Sequence, residues 1–224
     1  MAIIHRRILI SSRRWPSLPT LILEFVLMHH TLFDTPFINN LLRLLARFVL
    51  FCFGWKTMGS KPDEKQYVII AAPHTSNWDL FFMMLIALKL DIHIYWMGKD
   101  SIFKFPFKHT MLWMGGISVD RSKTNDAVAT MINTFKHCDE LVLSVPPEGT
   151  RAHTVYWKSG FYHIANGAGI PICLGFLDYA KKQGGIGPML TPTGDIEADM
   201  VEIKAFYKDI TGKHPTRFQS DEDK

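Results

Sequence analysis

The fold is decided by residues 67–79, YVIIAAPHTSNWD. Six apolar residues run from Tyr67 to Ala72, and Pro73 ends the run before a polar turn that carries His74 and Asp79. An apolar run of this length that stops at a proline is typical of a buried strand. Because residues 80–89 are strongly apolar, the stretch predicts a strand, a polar turn and a helix in direct succession.

Beyond this unit, short apolar runs and helical patterns alternate along the chain. The predicted strands after 67–72 are 92–97, 117–119, 141–145 and 171–177. The predicted helices are 80–89, 103–113 with a break at Pro106, 125–137, 156–167, and a last one that begins at Asp195 or Asp199 and ends near residue 211. Residues 181–194 predict a mobile connection. The alternation predicts an α/β fold with a mostly parallel central sheet flanked by helices.

The basic residues are concentrated near the N-terminus. Residues 1–60 hold seven Lys or Arg against Glu24 and Asp34, whereas the whole chain has a formal net charge of +4. A basic and apolar segment indicates an anionic membrane surface or nucleic acid as partner. The chain has no zinc finger, RNP motif or groove-reading basic helix, so anionic lipids at a membrane surface are the predicted partner and nucleic acid is not.

Residues 37–53 predict the element that meets this surface. Arg43 and Arg47 are four residues apart and share one face of a helix, and Leu and Phe fill most of the remaining positions. The segment is too short and too charged to span a bilayer, which takes about 20 apolar residues. We expect a helix in the interface with its arginines at lipid phosphates; a core helix with two solvated arginines is the alternative. The predicted domains are residues 1–60, an extension with membrane-interface helices, and the α/β domain 61–224.

The first 28 residues leave two interpretations open. Residues 1–15 are basic and residues 18–28 are apolar, which imitates a secretory signal, but Glu24 interrupts the run and no small-residue cleavage site follows. Alternatively, translation begins at Met28.

Cysteine and histidine spacing predicts neither a disulfide framework nor a metal site. Cys52, Cys138 and Cys173 are scattered in apolar surroundings, which predicts buried, inert thiols in a reducing cytoplasm. The histidines that stand near other candidate ligands fit no compact zinc pattern, so we expect no metal. They are His29 and His30 with Asp34, and His153 with His163.

Polar loops follow three of the predicted strands, where α/β folds place their chemistry. In the first loop, His74 precedes the helix and Asp79 lies in its first turn, so the carboxylate can fold back onto the imidazole. Asp79 would then orient the ring and leave its other nitrogen free to take a proton. A helix cap at Ser76 or Asn77 beside a satisfied loop histidine is the alternative.

The other two loops carry residues suited to an anion. Arg121 ends the strand 117–119, and Glu148, Gly149, Thr150 and Arg151 follow the strand 141–145. Glycine allows close backbone approach, and a guanidinium matches the geometry of phosphate. Each alone is equally consistent with a surface ion pair. Together, at strand ends beside His74, they predict an anion site next to a base.

In this order, the motifs resemble those of the glycerolipid acyltransferases typified by bacterial 1-acylglycerol-3-phosphate acyltransferase. The first block is His-x4-Asp, from His74 to Asp79. The others are Gly116-Ile117-Ser118-Val119-Asp120-Arg121, Glu148-Gly149-Thr150-Arg151 and Gly169-Ile170-Pro171-Ile172. The resemblance covers roughly residues 55–179, and four ordered blocks are much more specific than any one of them.

The resemblance implies an O-acyltransferase of phospholipid biosynthesis. His74 would deprotonate the hydroxyl of a lysophospholipid, above all 1-acylglycerol-3-phosphate, which attacks the thioester of acyl-CoA or acyl-carrier protein. Asp79 would orient His74, and the residues expected to hold the phosphate-bearing acceptor are Arg121, Glu148, Gly149, Thr150 and Arg151. The family implies neither a cofactor nor a covalent acyl-enzyme. It also implies a two-helix N-terminal motif that seats the protein on the cytoplasmic face of the membrane, as a peripheral or monotopic enzyme.

Three alternatives stay open. The aromatic stretch 156–163 departs from the typical lysophosphatidate enzyme, which leaves room for another lysolipid acceptor. A lipid-ester hydrolase would need an activated water or a serine elbow, and the chain has no Gly-x-Ser-x-Gly. A catalytically idle membrane-binding adaptor is the third.

The apolar stretch 81–84 is expected to pack in the core or to line an acyl channel.

Overall fold

The computed structural model describes Val26 and residues 30–35, 37–119, 124–150 and 156–218. The interpretations of residues 1–25 and of Met28, and the placement of Arg121, Arg151 and His153, fall outside the described residues. The helices are α1 (Ile38–Cys52), α2 (Trp78–Leu90), α3 (Lys108–Trp113), α4 (Thr124–His137), α5 (Gly160–Ala168) and α6 (Ile196–Tyr207). The strands are β1 (Lys56–Met58), β2 (Gln66–Ala72), β3 (Ile94–Lys99), β4 (Gly116–Val119), β5 (Leu141–Val145), β6 (Ile172–Asp178) and β7 (Gln183–Leu190).

The seven strands form one sheet in the order β1-β7-β6-β2-β5-β3-β4. The strands from β6 to β4 in this order are parallel to one another. Strand β7 runs antiparallel to β6, and β1 runs parallel to β7. The predicted α/β fold with a mostly parallel sheet is therefore confirmed. The sheet begins with β1 (Lys56–Met58), a few residues before position 61, where the α/β domain was predicted to start.

The central strand β2 is buried on both of its faces. Ile69 packs in a core formed with α1, α2 and α3, whereas Val68 and Ile70 pack in a second core formed with α4, α5 and α6. Successive side chains of a strand point to opposite faces. A strand covered by helices on both sides must therefore be apolar at every position, and this accounts for the unbroken run in the sequence.

Residues 181–194 differ most from expectation. The sequence predicted a mobile connection, but Gln183–Leu190 forms β7 between β6 and β1, so that prediction was wrong. Gly184 lies so close to α2 that a Cβ there would come within 2.7 Å of Cδ1 of Ile86. Glycine weakens a strand pattern and often marks close packing. Because the tertiary contacts of β7 favour glycine, its sequence lacks the apolar pattern by which a strand is recognised.

Two predicted helices begin later than the patterns suggested. The predicted helix 103–113 follows a 3₁₀ turn (Asp100–Ile102) and starts with an irregular segment, and α3 begins only at Lys108. In the predicted helix 156–167, α5 begins at Gly160. The final helix, by contrast, begins as predicted after Asp195, whose side chain accepts the amide N–H of Ala198 at 3.1 Å.

The three thiols differ in their surroundings. Cys138 and Cys173 are buried as expected, and burial raises the pKa of Cys138 to about 11 and that of Cys173 to about 12. Cys52 is exposed at the end of α1, so the prediction of three buried thiols was wrong for this residue. It lies on the helix side opposite the two buried residues of α1, Ala46 and Leu50.

Helix α1 presents most of its apolar side chains to the outside. The exposed residues follow a helical spacing of three and four: Phe37 (89% exposed), Leu41 (64%), Leu44 (65%), Phe48 (62%) and Phe51 (80%). Of the two arginines, Arg47 is exposed, and Nη1 of Arg43 lies 3.0 Å from Oδ1 of Asp91. None of the described helices is long and apolar enough to cross a membrane.

Candidate active site

His74 and Asp79 meet in the turn between β2 and α2. Strand β2 ends at Ala72 and α2 begins at Trp78, which places Asp79 in the first helical turn. Nδ1 of His74 lies 3.3 Å from Oδ2 of Asp79, and the side chains are 24% and 6% exposed, respectively. Because Nδ1 faces the carboxylate, Nε2 is the ring nitrogen left for a substrate.

Asp79 also organises the backbone of this turn. Its Oδ2 accepts the amide N–H groups of Thr75 and Ser76, both at 2.8 Å. Ser76 Oγ accepts the amide N–H of Trp78 at 3.2 Å within the turn. The N-cap residue of α2 is Asn77, whose side chain makes no capping hydrogen bond, so the alternative of a side-chain cap at Ser76 or Asn77 was wrong. The turn is braced from the C-terminal segment as well, where the amide of His214 donates to Oγ1 of Thr75 at 3.2 Å.

Glu148 joins the site from the neighbouring strand. It follows β5, which pairs with β2, and its Oε1 accepts the backbone N–H of His74 at 2.9 Å. The residue is only 3% exposed, and burial raises the pKa of its carboxyl although the hydrogen bond from His74 opposes the shift. Within the described part of the chain, Oε2 of Glu148 has no hydrogen-bond partner. The carboxylate thus holds the backbone of the histidine in place.

Gly149 and Thr150 continue from Glu148 along the rim of the site. Gly149 has a φ of +61°, and a Cβ there would lie 2.9 Å from Cδ of Lys158. This conformation favours glycine, and it turns the chain so that Thr150 lines the cavity described below. The structure therefore brings His74, Asp79, Glu148 and Thr150 to one end of the sheet.

Tyr179 is the site residue that sequence reasoning missed. It follows β6, the other neighbour of β2, and its hydroxyl donates to Oδ1 of Asp79 at 2.7 Å. Burial raises the pKa of Tyr179, and the Asp79 carboxylate raises it further, so the hydroxyl stays protonated. Its ring packs edge-on against Trp55 at 5.0 Å between centroids. The signal that could have found it is a hydroxyl directly after a strand that pairs with the central one.

An apolar cavity of about 600 Å³ extends from the His–Asp pair. It lies between α2 and the sheet and reaches from His74 and Asn77 to Leu90, at the far end of the helix. Most lining side chains are apolar, and they include Leu80, Met83, Ile86, Ile94, Trp96 and Met111. One polar wall residue, Ser144 on β5, donates to Sδ of Met83 at 3.2 Å.

The stretch 81–84 divides between the two expected roles. Met83 lines the cavity, whereas Phe82 and Met84 are buried in the core. Phe81 is exposed and follows Leu80, which lines the cavity. The core packing is therefore confirmed for Phe82 and Met84, and Met83 faces the cavity.

Among the described residues, no group of three or more His, Cys, Asp or Glu side chains is placed to hold a metal ion. Asp34, one of the residues considered as a ligand, instead accepts a hydrogen bond from Oγ1 of Thr31 at 2.7 Å and lies 3.4 Å from Nδ1 of His93. Burial raises the pKa of Asp34, but its contacts with His93 and Thr31 outweigh this and lower it to about 2.

This geometry defines a class of protein. A histidine oriented by a carboxylate, at the end of the central strand and beside an apolar cavity, can take a proton from a hydroxyl of an amphiphilic substrate. The acyltransferase family profile matches residues 56–173, just over half of the chain, and the chain belongs to this family. The resemblance predicted from the ordered motifs is confirmed at this level.

A solved structure with the same fold is the 1-acyl-sn-glycerophosphate (LPA) acyltransferase PlsC from Thermotoga maritima. The two proteins superpose with a TM-score of 0.53 over 83% of each chain, at 14% sequence identity. At this identity the likeness shows a shared fold. No curated protein matches the sequence significantly.

Proposed function

We propose that this protein transfers a fatty acyl group from acyl-CoA or acyl-carrier protein to the free hydroxyl of a lysophospholipid, with 1-acylglycerol-3-phosphate as the leading acceptor. This is a reaction of phospholipid biosynthesis. The observation that carries the proposal is the 3.3 Å contact between His74 and Asp79 at the end of an apolar cavity, in a chain of the acyltransferase family.

In the proposed reaction, Nε2 of His74 removes the proton of the acceptor hydroxyl as its oxygen attacks the thioester carbonyl. The new ester bond forms and the carbon–sulfur bond breaks. The proton on His74 then passes to the departing thiolate, which leaves as the free thiol. Asp79 stabilises the imidazolium through Nδ1. General-base assistance of this kind contributes about 10²–10⁴-fold in rate, and a thioester is already activated toward attack.

In this proposal the cavity binds the acyl chain of the donor, and residues at the strand ends bind the phosphate of the acceptor. The acyl chain of the donor fits the cavity between α2 and the sheet, because the walls are apolar along the whole helix. Arg121, Gly149, Thr150 and Arg151 are proposed to hold the acceptor phosphate. Glu148 belongs to the same loop, and its contact with the His74 amide supports a role in positioning the base.

The exposed face of α1 supports attachment to a membrane. Its apolar stripe from Phe37 to Phe51 lies beside the exposed Arg47, and a helix of this kind suits the interface of an anionic bilayer. We propose a peripheral or monotopic position on the cytoplasmic face, with α1 in the interface. This placement brings the cavity close to lipid substrates.

The test compares the wild-type protein with His74→Ala and with His137→Ala, an exposed histidine at the end of α4. Each is incubated with vesicles, a long-chain acyl-CoA or acyl-carrier protein, and a panel of lysolipids, and products are identified by mass spectrometry. We expect diacyl product with the wild type and His137→Ala and none with His74→Ala.

Other outcomes separate the alternatives. Product from a lysolipid other than 1-acylglycerol-3-phosphate would replace the acceptor and keep the reaction. Release of free fatty acid without an acceptor would indicate a hydrolase. Vesicle binding without turnover, with both donors, would overturn the enzymatic proposal in favour of an adaptor.

A further inference from the structure

A second exposed apolar surface lies in the segment that joins β3 to α3. We call residues 103–107 the Phe105 loop. Phe105 is 94% exposed and Phe107 is 63% exposed, and Ile102, just before the loop, is 37% exposed. Two phenylalanines exposed to this degree within three residues form an apolar surface that a protein in water alone does not require.

The exposure of these rings follows from a firmly packed backbone. Phe103 is only 8% exposed and stacks on Trp96 at 5.8 Å between ring centroids. Gly116 leaves room for it, because a Cβ there would lie 2.8 Å from Cε1 of Phe103. At the other end, the amides of Phe107 and Lys108 donate to the carbonyl of Lys104 at 2.9 and 3.1 Å. With Phe103 occupying the inside, Phe105 and Phe107 are held outside.

Positive charge alternates with the exposed rings. Lys104 and Lys108 flank Phe105 and Phe107, and Lys99 lies at the end of β3; all three lysines are exposed. The nearby acid is Asp100, whose carboxylate accepts a hydrogen bond from Oγ of Ser118. Aromatic rings interleaved with lysines suit the headgroup layer of an anionic bilayer, where rings enter the acyl boundary and ammonium groups stay at the phosphates.

The loop adjoins the rim of the substrate cavity. Lys99 and Ile102 line this cavity, as do Asn77 and Leu80 at the start of α2. On the α2 side the exposed rings are Trp78 (45%) and Phe81 (39%), which contact each other edge-on at 5.5 Å. Aromatic side chains therefore stand beside the rim both at the start of α2 and after β3.

We propose that the Phe105 loop is a second membrane contact, which inserts Phe105 and Phe107 into the interface of an anionic lipid bilayer and places Lys104 and Lys108 at lipid phosphates. With α1 in the same surface, the cavity rim faces lipid, and amphiphilic substrates reach His74 without crossing water. The choice of a lipid surface rests on the proposed function, because a lipid acceptor resides in the bilayer. An acidic carrier protein is the rival occupant, and the experiment distinguishes the two.

The experiment places an environment-sensitive fluorophore at single cysteines in a Cys52→Ser background, which removes the exposed native thiol. The labelled positions are Phe105→Cys in the loop, Leu41→Cys on α1, and Glu202→Cys, an exposed control on α6. Vesicles of phosphatidylcholine with phosphatidylglycerol are added, with and without spin-labelled acyl chains. We expect a blue shift and quenching by the spin-labelled chains at positions 105 and 41, and neither at position 202.

The affinity for vesicles gives a second measurement. Phe105→Ser with Phe107→Ser removes two exposed rings, so we expect an unchanged melting temperature and a vesicle affinity lower by about tenfold or more. Lys104→Gln with Lys108→Gln should lower the affinity for anionic vesicles by about fivefold per lysine, and high salt should abolish that difference.

Three results would overturn the proposal. The label at position 105 could stay in water while the label at 41 enters the bilayer, which would leave α1 as the membrane contact. Both labels could stay silent with vesicles. The label at 105 could respond to acyl-carrier protein and not to vesicles, which would assign the loop to a protein partner. None of these measurements depends on turnover, so they stand apart from the test of the acyltransferase reaction.

Discussion

The hydroxyl of Tyr179 donates a 2.7 Å hydrogen bond to Oδ1 of Asp79, while Oδ2 of the same carboxylate faces His74. The two residues are 100 positions apart in the chain. The contact holds the carboxylate plane relative to the imidazole, and it also withdraws negative charge from the oxygen that faces His74. Tyr179 therefore acts on the proposed base through Asp79, as a positioning residue.

Replacement of Tyr179 by phenylalanine should affect catalysis and its pH dependence. A hydrogen bond to a charged group contributes about 1.5–3 kcal/mol, so we expect kcat to fall by about tenfold with little change in KM. Without the donor, Asp79 stabilises the imidazolium more strongly, and the acidic limb of the kcat profile should move to higher pH. Steady-state kinetics over a pH series measures both effects.

The matched control is Tyr162→Phe. Tyr162 donates to Oδ2 of Asp199 at 2.7 Å, a bond between the same two kinds of side chain, outside the candidate site. The Tyr162→Phe substitution should lower the melting temperature and leave the pH profile of kcat unchanged. An unmoved profile in Tyr179→Phe would show that the tyrosine merely supports the fold.

Glu148→Gln should change how stability depends on pH. Burial raises the pKa of Glu148 in the folded protein, so the folded state binds this proton more tightly than the unfolded state. The wild type is therefore favoured below the ordinary carboxyl pKa and loses stability as the pH rises through the raised value. Glutamine keeps an acceptor for the His74 amide and does not titrate. The stability of the variant relative to the wild type should therefore increase from acid to neutral pH.

Thermal melts across that pH range test the prediction, with Glu140→Gln as control. Glu140 is exposed, and the contact with Lys65 lowers the pKa of its carboxyl. Its replacement should show no such gain. A stability difference for Glu148→Gln that stays constant with pH would contradict the assignment of a buried carboxylate with a raised pKa.

Ala87→Leu should shorten the acyl chain that the protein accepts. Ala87 is 5% exposed and lines the cavity between Met83 and Leu90 along α2. The added carbons either enter the cavity or strain the packing, and overpacking costs about 1–3 kcal/mol. We expect turnover of long-chain donors to fall by about tenfold or more, which corresponds to about 1.4 kcal/mol in the transition state. Short-chain donors should be turned over as by the wild type.

Competition between donors of graded length measures this shift, and the short donors serve as the internal control. A uniform loss at all lengths would indicate general misfolding. Unchanged selectivity together with a normal melting temperature would mean that the acyl chain lies elsewhere.

One of the three cysteines should react in the folded protein. Cys52 is exposed, whereas burial raises the pKa of Cys138 to about 11 and that of Cys173 to about 12. A thiol-specific reagent at neutral pH should therefore modify Cys52 rapidly, and Cys52→Ser should leave the native protein unreactive. Peptide mapping identifies the modified residue. Rapid modification of Cys138 or Cys173 before unfolding would contradict their burial.

The sequence by itself determined the unit from β2 to α2 and the meeting of His74 with Asp79. A strand buried on both faces must be apolar throughout, so Tyr67–Ala72 stands out without further information. His74 and Asp79 belong to one turn, and a contact within one turn depends on local geometry that residue types and spacing specify. The same holds for α1, whose apolar and basic pattern is visible along the chain.

The tertiary structure alone decided which distant residues complete the site and which apolar residues stay outside. The sequence placed Glu148 at a strand end beside His74, but its hydrogen bond to the His74 amide and the arrival of Tyr179 depend on β5 and β6 flanking β2. Strand order is a property of the whole chain. Strand β7 is defined by its partners, since its glycines carry little local preference. Phe103 and Phe105 are the same residue type two positions apart, and only packing against Trp96 buries one and leaves the other exposed.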